Sequence, residues 1–292
     1  MKTVRMRHPE TPRTVKREAT TLPERFEEDL VLHYQPVVDA GTGKLCAFEA
    51  LLRAAGEAEP TAYPEATLQG YGSKDTLHAL DRWVVERALR DSAKLRAAGI
   101  IVPVHINIAV DEINDNMPPP FEEWLRSIGD QSGVAVLEIL ESSHITNTKH
   151  AKSLIDVSHQ LGIEVAFDDF GVGNATFLSL QSLHPDIVKL DRQFTSEILH
   201  DQRTRAIVHT LIKLSHDLLM KIIAEGVEGT DQWEWLRLAG CDQIQGFIVA
   251  KPMAAPDGVV TWYANWNKLI GEAEAKELPP SQLIANDAVA AS

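Results

Sequence analysis

The sequence predicts an α/β protein folded as a modified (β/α)8 barrel of the TIM type, with an antiparallel first strand. Eight short apolar runs recur along the chain, and nearly every one ends in a polar or ionisable residue. Most of these runs precede a helical stretch, and strand alternating with helix builds a parallel sheet. The exception is the first junction. Residues 39–44, DAGTGK, form a turn too tight for a helical crossover and read as a hairpin. A barrel of this kind takes about 250 residues, so 292 leaves room for ends.

Taken in order, residues 1–25 are polar and locally basic (Lys2, Arg5, Arg7, Arg13, Lys16, Arg17) and read as a mobile arm. The barrel domain is expected over 26–275. Its first two strands are LVLHYQ, ending at Gln35, and LCAFE, ending at Glu49. Residues 54–74 are broken by Gly and Pro and read as a loop on the functional rim. A helix over 77–98 carries Leu80, Val84, Ala88 and Leu95 on one face. The third and fourth strands end at Asn107 and Glu138, and a proline run with a short helix lies between them in 111–129. The remaining strands end at Asp168 and Asp169, at Lys189, at Glu225 and at Gln245. Helices are expected over 148–161, 203–220 and 231–239, the first and last closed by Gly162 and Gly240. The last segment, 276–292, has little periodicity and reads as a frayed tail.

The net charge of −14 leaves no basic face to replace phosphate counterions, which argues against a nucleic-acid binder. A divalent metal bound by rim carboxylates would invert the local sign, so an anionic substrate stays compatible. No apolar run reaches the ~18 residues of a membrane span. Cys46 and Cys241 have no metal-ligand spacing, which fits a reducing compartment, and no secretory leader is visible. The expectation is a cytoplasmic protein without membrane association.

In a parallel barrel the strand C-termini open on one rim, where chemistry is built. The adjacent pair Asp168–Asp169 is the strongest signal, because buried like charges are costly unless a cation balances them. Two oxygen-bound metals are the standard clamp for in-line phosphoryl displacement. The plainer alternative for Asp169 is a cap on the following turn. Glu138 falls on the rim, and Glu141 lies just beyond it. Asn107 taken alone reads as a structural amide, and Lys189 alone as a surface charge. Glu225 and Glu228 flank Gly226-Val227, and Gln245 precedes Gly246-Phe247. Oxygen ligands with one amide favour Mg²⁺ or Mn²⁺ over zinc, with no His or Cys expected at the rim.

The tripeptide Glu49-Ala50-Leu51, within FEALLR (48–53), resembles the signature of the EAL-domain cyclic di-GMP phosphodiesterases. The similarity continues in order through YQPV (34–37), HIN (105–107), LEILE (137–141) and FDDFGVG (167–173). It runs on through DIVKLDR (186–192), AEGVE (224–228) and QGF (245–247), covering roughly residues 28–260. The resemblance implies hydrolysis of cyclic di-GMP to linear pGpG with two Mg²⁺ or Mn²⁺, Ca²⁺ being inhibitory. It implies Glu49, Asn107, Glu138 and Asp168 as ligands of one ion, and Asp168, Asp169 and Glu225 as ligands of the other. Glu49, Asp169, Lys189 and Glu225 would carry catalysis, with Lys189 at the attacking water or phosphate. Gln35, Leu52, Arg53, Glu228 and Gln245 would bind or orient the dinucleotide, and Glu141 would anchor the loop after Asp169.

A two-fold homodimer through that loop and the helix after Lys189 is also implied. The helix would offer Ile207, Leu211, Leu214 and Leu218. After DDFG the family usually has Thr and then GYSS, where this chain has Val172 and then GNAT (173–176). That departure keeps a second expectation open: a catalytically weak EAL-type receptor that binds cyclic di-GMP or a protein partner without turnover. An unrelated metal-dependent barrel enzyme, such as an aldolase, is a third.

Overall fold

The computed structural model describes residues 22–56, 74–108, 121–129, 133–140, 148–171, 177–282 and 284. Eight strands close into a barrel in the order β2 to β8, with β1 inserted between β8 and β2. β1 (Leu30–Asp39) runs antiparallel to both neighbours, and the joints from β2 (Leu45–Ala54) to β8 (Gln243–Gln245) are parallel. Between them lie β3 (Val104–Ile108), β4 (Ala135–Leu140), β5 (Glu164–Phe170), β6 (Ile187–Leu190) and β7 (Lys221–Ala224). A two-residue strand, β9 (Met253–Ala254), lines the upper half of β1. The expected hairpin is present, with Asp39 Oδ1 accepting from the Gly41 and Thr42 amides at 3.1 and 2.6 Å.

Outside the sheet run α1 (Leu22–Asp29), α2 (Lys74–Ala97), α3 (Phe121–Ser127), α4 (Thr148–Gln160) and α5 (Phe177–Leu183). They are followed by α6 (Arg192–Glu197), α7 (Gln202–Asp217), α8 (Thr230–Ala239) and α9 (Asp257–Ala275). Local chemistry starts α7: Asp201 accepts from the Arg203 and Thr204 amides at 3.1 and 3.0 Å, satisfying donors a helix start leaves open. The large apolar core lies between strands and helices, from Phe26 and Trp83 round to Trp233 and Trp266.

Several expected boundaries change, two of them by more than a turn or a strand end. β2 does not stop at Glu49 but continues to Ala54, because the β1–β2 hairpin stands above the rim and pairs up to Leu30 and Ala54. The tail does not fray from residue 276. Ser281 is 2% exposed with its hydroxyl 3.3 Å from Glu234 Oε2, and Pro280 packs against Gly43. Tertiary contact rather than helical periodicity holds that stretch. Of the expected arm, residues 22–25 belong to α1, and residues 1–21 lie outside the described residues. Among the described residues, no helix is long and apolar enough to cross a membrane.

Candidate active site

The barrel interior is organised by the two-residue period of its strands. Val37, Ala47, Val136, Ala166, Ile187 and Ile223 form a small apolar cluster separate from the main core. One side-chain repeat towards the C-terminal rim, on the same face of each strand, stand Gln35, Glu49, Glu138, Asp168, Lys189 and Glu225. β1 runs the other way, so there the step is from Val37 back to Gln35. The apolar layer is a dry floor, and the layer above it holds the ionisable residues that the sequence places near strand ends.

Lys189 stands at the centre of that layer with a fully buried side chain. Its Nζ lies 2.6 Å from Glu225 Oε1, 2.9 Å from Glu138 Oε2, 3.0 Å from Asp168 Oδ1 and 3.6 Å from Glu49 Oε2. Burial alone would lower the ammonium's pKa; Asp168, Glu138, Glu225 and Glu49 outweigh it and raise it well above the lysine range. Burial, only partly offset by Lys189, pushes the Glu138 and Glu225 carboxyls well up. Asp169 lies beside Asp168 with φ of 55°, and burial, then Asp168 and Asp191, raises its carboxyl to about 6.

Amides complete the ring. Asn107 Nδ2 donates to Glu49 Oε1 at 3.0 Å, and Gln245 Nε2 donates to Glu49 Oε2 at 2.6 Å and Gln35 Oε1 at 3.2 Å. Gln35 Nε2 is tied to the Ala250 carbonyl at 3.0 Å. Above this layer opens a cleft of about 340 Å³, walled by Glu49, Asp168, Asp169, Glu225 and Gln245 and by Arg192, Glu228 and Phe247 at its mouth.

The donor set fits a hard divalent cation. Among the described residues, two groups of carboxylates each bring ligand atoms within 4.8 Å of one another: Glu49, Glu138 and Asp168, and Asp168, Asp169 and Glu225. Asp168 Oδ1 is buried and, although 3.0 Å from Lys189 Nζ, accepts no hydrogen bond. A buried carboxylate oxygen with no hydrogen-bond donor aligned on it can serve as a coordination position.

Three details differ from the sequence expectation. Leu52 does not face the cleft; strand alternation from Glu49 turns Leu51 inward, and Leu52 packs against the main core. Arg53 shares the Glu49 face but sits above the ring, its Nη1 donating to the Leu52 carbonyl at 2.8 Å, and it does not line the cleft. An imidazole does reach the ring: His105 Nδ1 lies 2.7 Å from Glu138 Oε1, fixing that carboxylate from the side opposite Lys189. Burial, then Lys189, lowers the His105 pKa to about 3, so the ring is neutral. Its parity with Asn107, two residues on, was the available signal. Glu141 and the departure at Val172 and Asn174 lie outside the described residues.

A profile of the EAL domain matches residues 19–252. The chain belongs to the EAL-domain family. This EAL domain is 31% identical over 252 residues to the cyclic di-GMP phosphodiesterase PdeR of Escherichia coli K12, covering 85% of the chain and 38% of that protein. It is 29% identical over 232 residues to the cyclic di-GMP phosphodiesterase NbdA of Pseudomonas aeruginosa, covering 78% of the chain and 29% of that protein. The chain spans about a third of the length of the curated relatives it matches. Among solved structures, the PaMucR phosphodiesterase in complex with c-di-GMP superposes with a TM-score of 0.68 at 29% identity, over 78% of this chain and 94% of that one. The EAL domain of DcpA from Mycobacterium smegmatis superposes with a TM-score of 0.65 at 29% identity, over 81% of this chain and 96% of that one.

Proposed function

We propose that this EAL domain hydrolyses one phosphodiester bond of cyclic di-GMP to give linear pGpG, with Mg²⁺ or Mn²⁺ held by the two carboxylate groups. The observation that carries the reading is the single layer in which Glu49, Glu138, Asp168 and Glu225 surround Lys189 beneath an open cleft. The curated phosphodiesterases among its relatives support the substrate.

Glu49, Asn107, Glu138 and Asp168 would hold one ion, and Asp168, Asp169 and Glu225 the other. When bound, the cations would polarise the scissile phosphate and make an attacking water acidic. Lys189 sits close enough to both groups to balance charge that builds on the phosphate. Gln245 and Gln35 present amide edges to the cleft floor, and Glu228 stands where it can orient the ligand or a water. Arg192, exposed at the mouth, supplies the cation that an outer phosphate needs.

In this reading the chain works in the cytoplasm, in keeping with two free cysteines. It also pairs as a two-fold homodimer through α7. There Leu211 is buried against the barrel, while Ile207 and, at the cap just past the helix, Leu218 point outward at 47% and 46% exposure.

Chromatography of the products formed from cyclic di-GMP, in Mg²⁺, Mn²⁺, Ca²⁺ and chelator, tests the activity. Linear pGpG is expected with the first two, with little in Ca²⁺ and none in chelator. Calorimetric binding with no product under any metal would instead establish the receptor.

A further inference from the structure

Glu225 stands one residue past the end of its own strand, where its amide donates to the Leu190 carbonyl of β6 at 3.0 Å. β7 ends at Ala224, and Glu225 opens the connection that leads to α8. Its carbonyl accepts the Thr195 hydroxyl at 2.6 Å, and Thr195 is fully buried on α6, the short helix that follows the Lys189 strand. The Thr195 carbonyl in turn accepts Gln232 Nε2 at 3.0 Å, and Gln232 Oε1 accepts the Glu228 and Gly229 amides, each at 2.9 Å.

Both ends of this connection are therefore tied to one residue of α6. Between them Gly226, at φ of 64°, lies so close to Arg192 that a Cβ would overlap the Arg192 side chain. At its other end α6 is preceded by its cap Asp191, which accepts from the Gln193 amide at 2.8 Å and shares a hydrogen bond with Asp169. One helix of six residues and its cap thus touch both Asp169 and Glu225, the pair that distinguishes the second carboxylate group from the first.

We infer that Thr195, relayed by Gln232, is a positioning residue that sets Glu225 against Asp169, so that the second group binds its cation tightly and the Glu228 side of the cleft keeps its shape. The inference rests on the reading of that group as a metal site. Hydrolysis does not require Thr195 to touch substrate. Its hydroxyl acts through the Glu225 backbone, where a displacement of a few tenths of an ångström alters coordination.

The variants Thr195→Val, which keeps the shape and removes the hydroxyl, and Thr195→Ser, which keeps the hydroxyl, separate this role from packing. Mn²⁺ binding is measured by calorimetry and by the paramagnetic resonance of free Mn²⁺, alongside turnover of cyclic di-GMP and thermal unfolding. In Thr195→Val one class of Mn²⁺ site should weaken about tenfold, as expected when a buried carbonyl loses its donor. The Mn²⁺ concentration for half-maximal turnover should rise in parallel, and Thr195→Ser should stay within about twofold of the parent.

Unchanged Mn²⁺ affinity in Thr195→Val overturns the inference, including where that variant unfolds at a lower temperature. Equal impairment of both variants overturns it too. If the parent binds Mn²⁺ but leaves cyclic di-GMP intact, the proposed activity fails, and the calorimetry still decides Thr195. A parent that binds no Mn²⁺ refutes both.

Discussion

In the proposed reading each ionisable side chain of the ring has a distinct job that single substitutions can separate. Glu49 is held by two amides, Asn107 and Gln245, so replacing it with Gln removes a charge without opening a large cavity. Turnover by Glu49→Gln should fall by at least ~10²-fold, the scale of losing one preorganised electrostatic contact, while the protein stays folded. Circular dichroism with the product assay checks this, and near-parental turnover would remove Glu49 from the metal site. His105 instead acts on Glu138, which it contacts at 2.7 Å. Outer partners of metal ligands typically contribute 10–100-fold, so His105→Phe should weaken Mn²⁺ binding by about that factor. The cysteines behave differently again. Burial, then Asp39, raises the Cys46 thiol to about 11, and burial, then Asp242, raises Cys241 to about 12. Thiolate is the reactive form, so both should resist iodoacetamide at pH 8, and unfolding should expose them.

Elements differ in how they hold the site, and in how plainly the sequence announces them. The turn after β8 depends on Gly246, whose Cβ, if present, would overlap the Val227 backbone. Gly246→Ala should therefore destabilise by about 1–3 kcal/mol and shift Gln245, read as a lower midpoint in urea together with weaker dinucleotide binding. On the far side, α2 is tied to β1 through Asp91, a buried carboxylate that accepts from Tyr34, Arg87 and Lys94. Burial would raise this carboxyl, but hydrogen bonds from Lys94 and Arg87 prevail and hold it below the ordinary range. A depressed folded pKa gives stability that is full above the unfolded value of about 3.9 and lost as pH falls through the folded one. Asp91→Asn should therefore cost about 1–2 kcal/mol at pH 7, with the difference from the parent shrinking below pH 4.

The barrel strands were readable because floor and ring residues repeat every second position, as in Val136 and Glu138 or Ile187 and Lys189. Leu51 is readable by the same parity, which places it and not Leu52 on the cleft. α6 was not. Its six residues make under two turns, with no apolar period, and Thr195 looks like any small polar side chain until its partner across thirty residues is known. The sequence pattern likewise assigned no element to α9, whose Trp266 donates to the Gly43 carbonyl at 2.8 Å beneath the first hairpin.

At the scale of the whole molecule, the ring sets function against stability. Glu49, Glu138, Asp168 and Glu225 crowd one ammonium in a layer closed below by apolar side chains, and Asp169 adds to the excess. Burial holds the Glu138 and Glu225 carboxyls well up, and in the proposed reading a bound divalent cation would relieve this crowding. Ligands that bind only the folded state stabilise by mass action, about 2.7 kcal/mol at a hundredfold excess over Kd. For a domain of this size that corresponds to a rise in Tm of roughly 5–10 °C. Scanning calorimetry in chelator and then in Mn²⁺ should show such a rise. Asp168→Asn separates the two contributions. It removes the carboxylate shared by both groups, yet Lys189 keeps Glu138 and Glu225 as partners. The variant should therefore melt at or above the parent's temperature in chelator, and should gain little when Mn²⁺ is added. A metal-free variant less stable than the parent would mean that Asp168 is held for its ion pair with Lys189. A full Mn²⁺ shift in the variant would mean that the cation binds elsewhere.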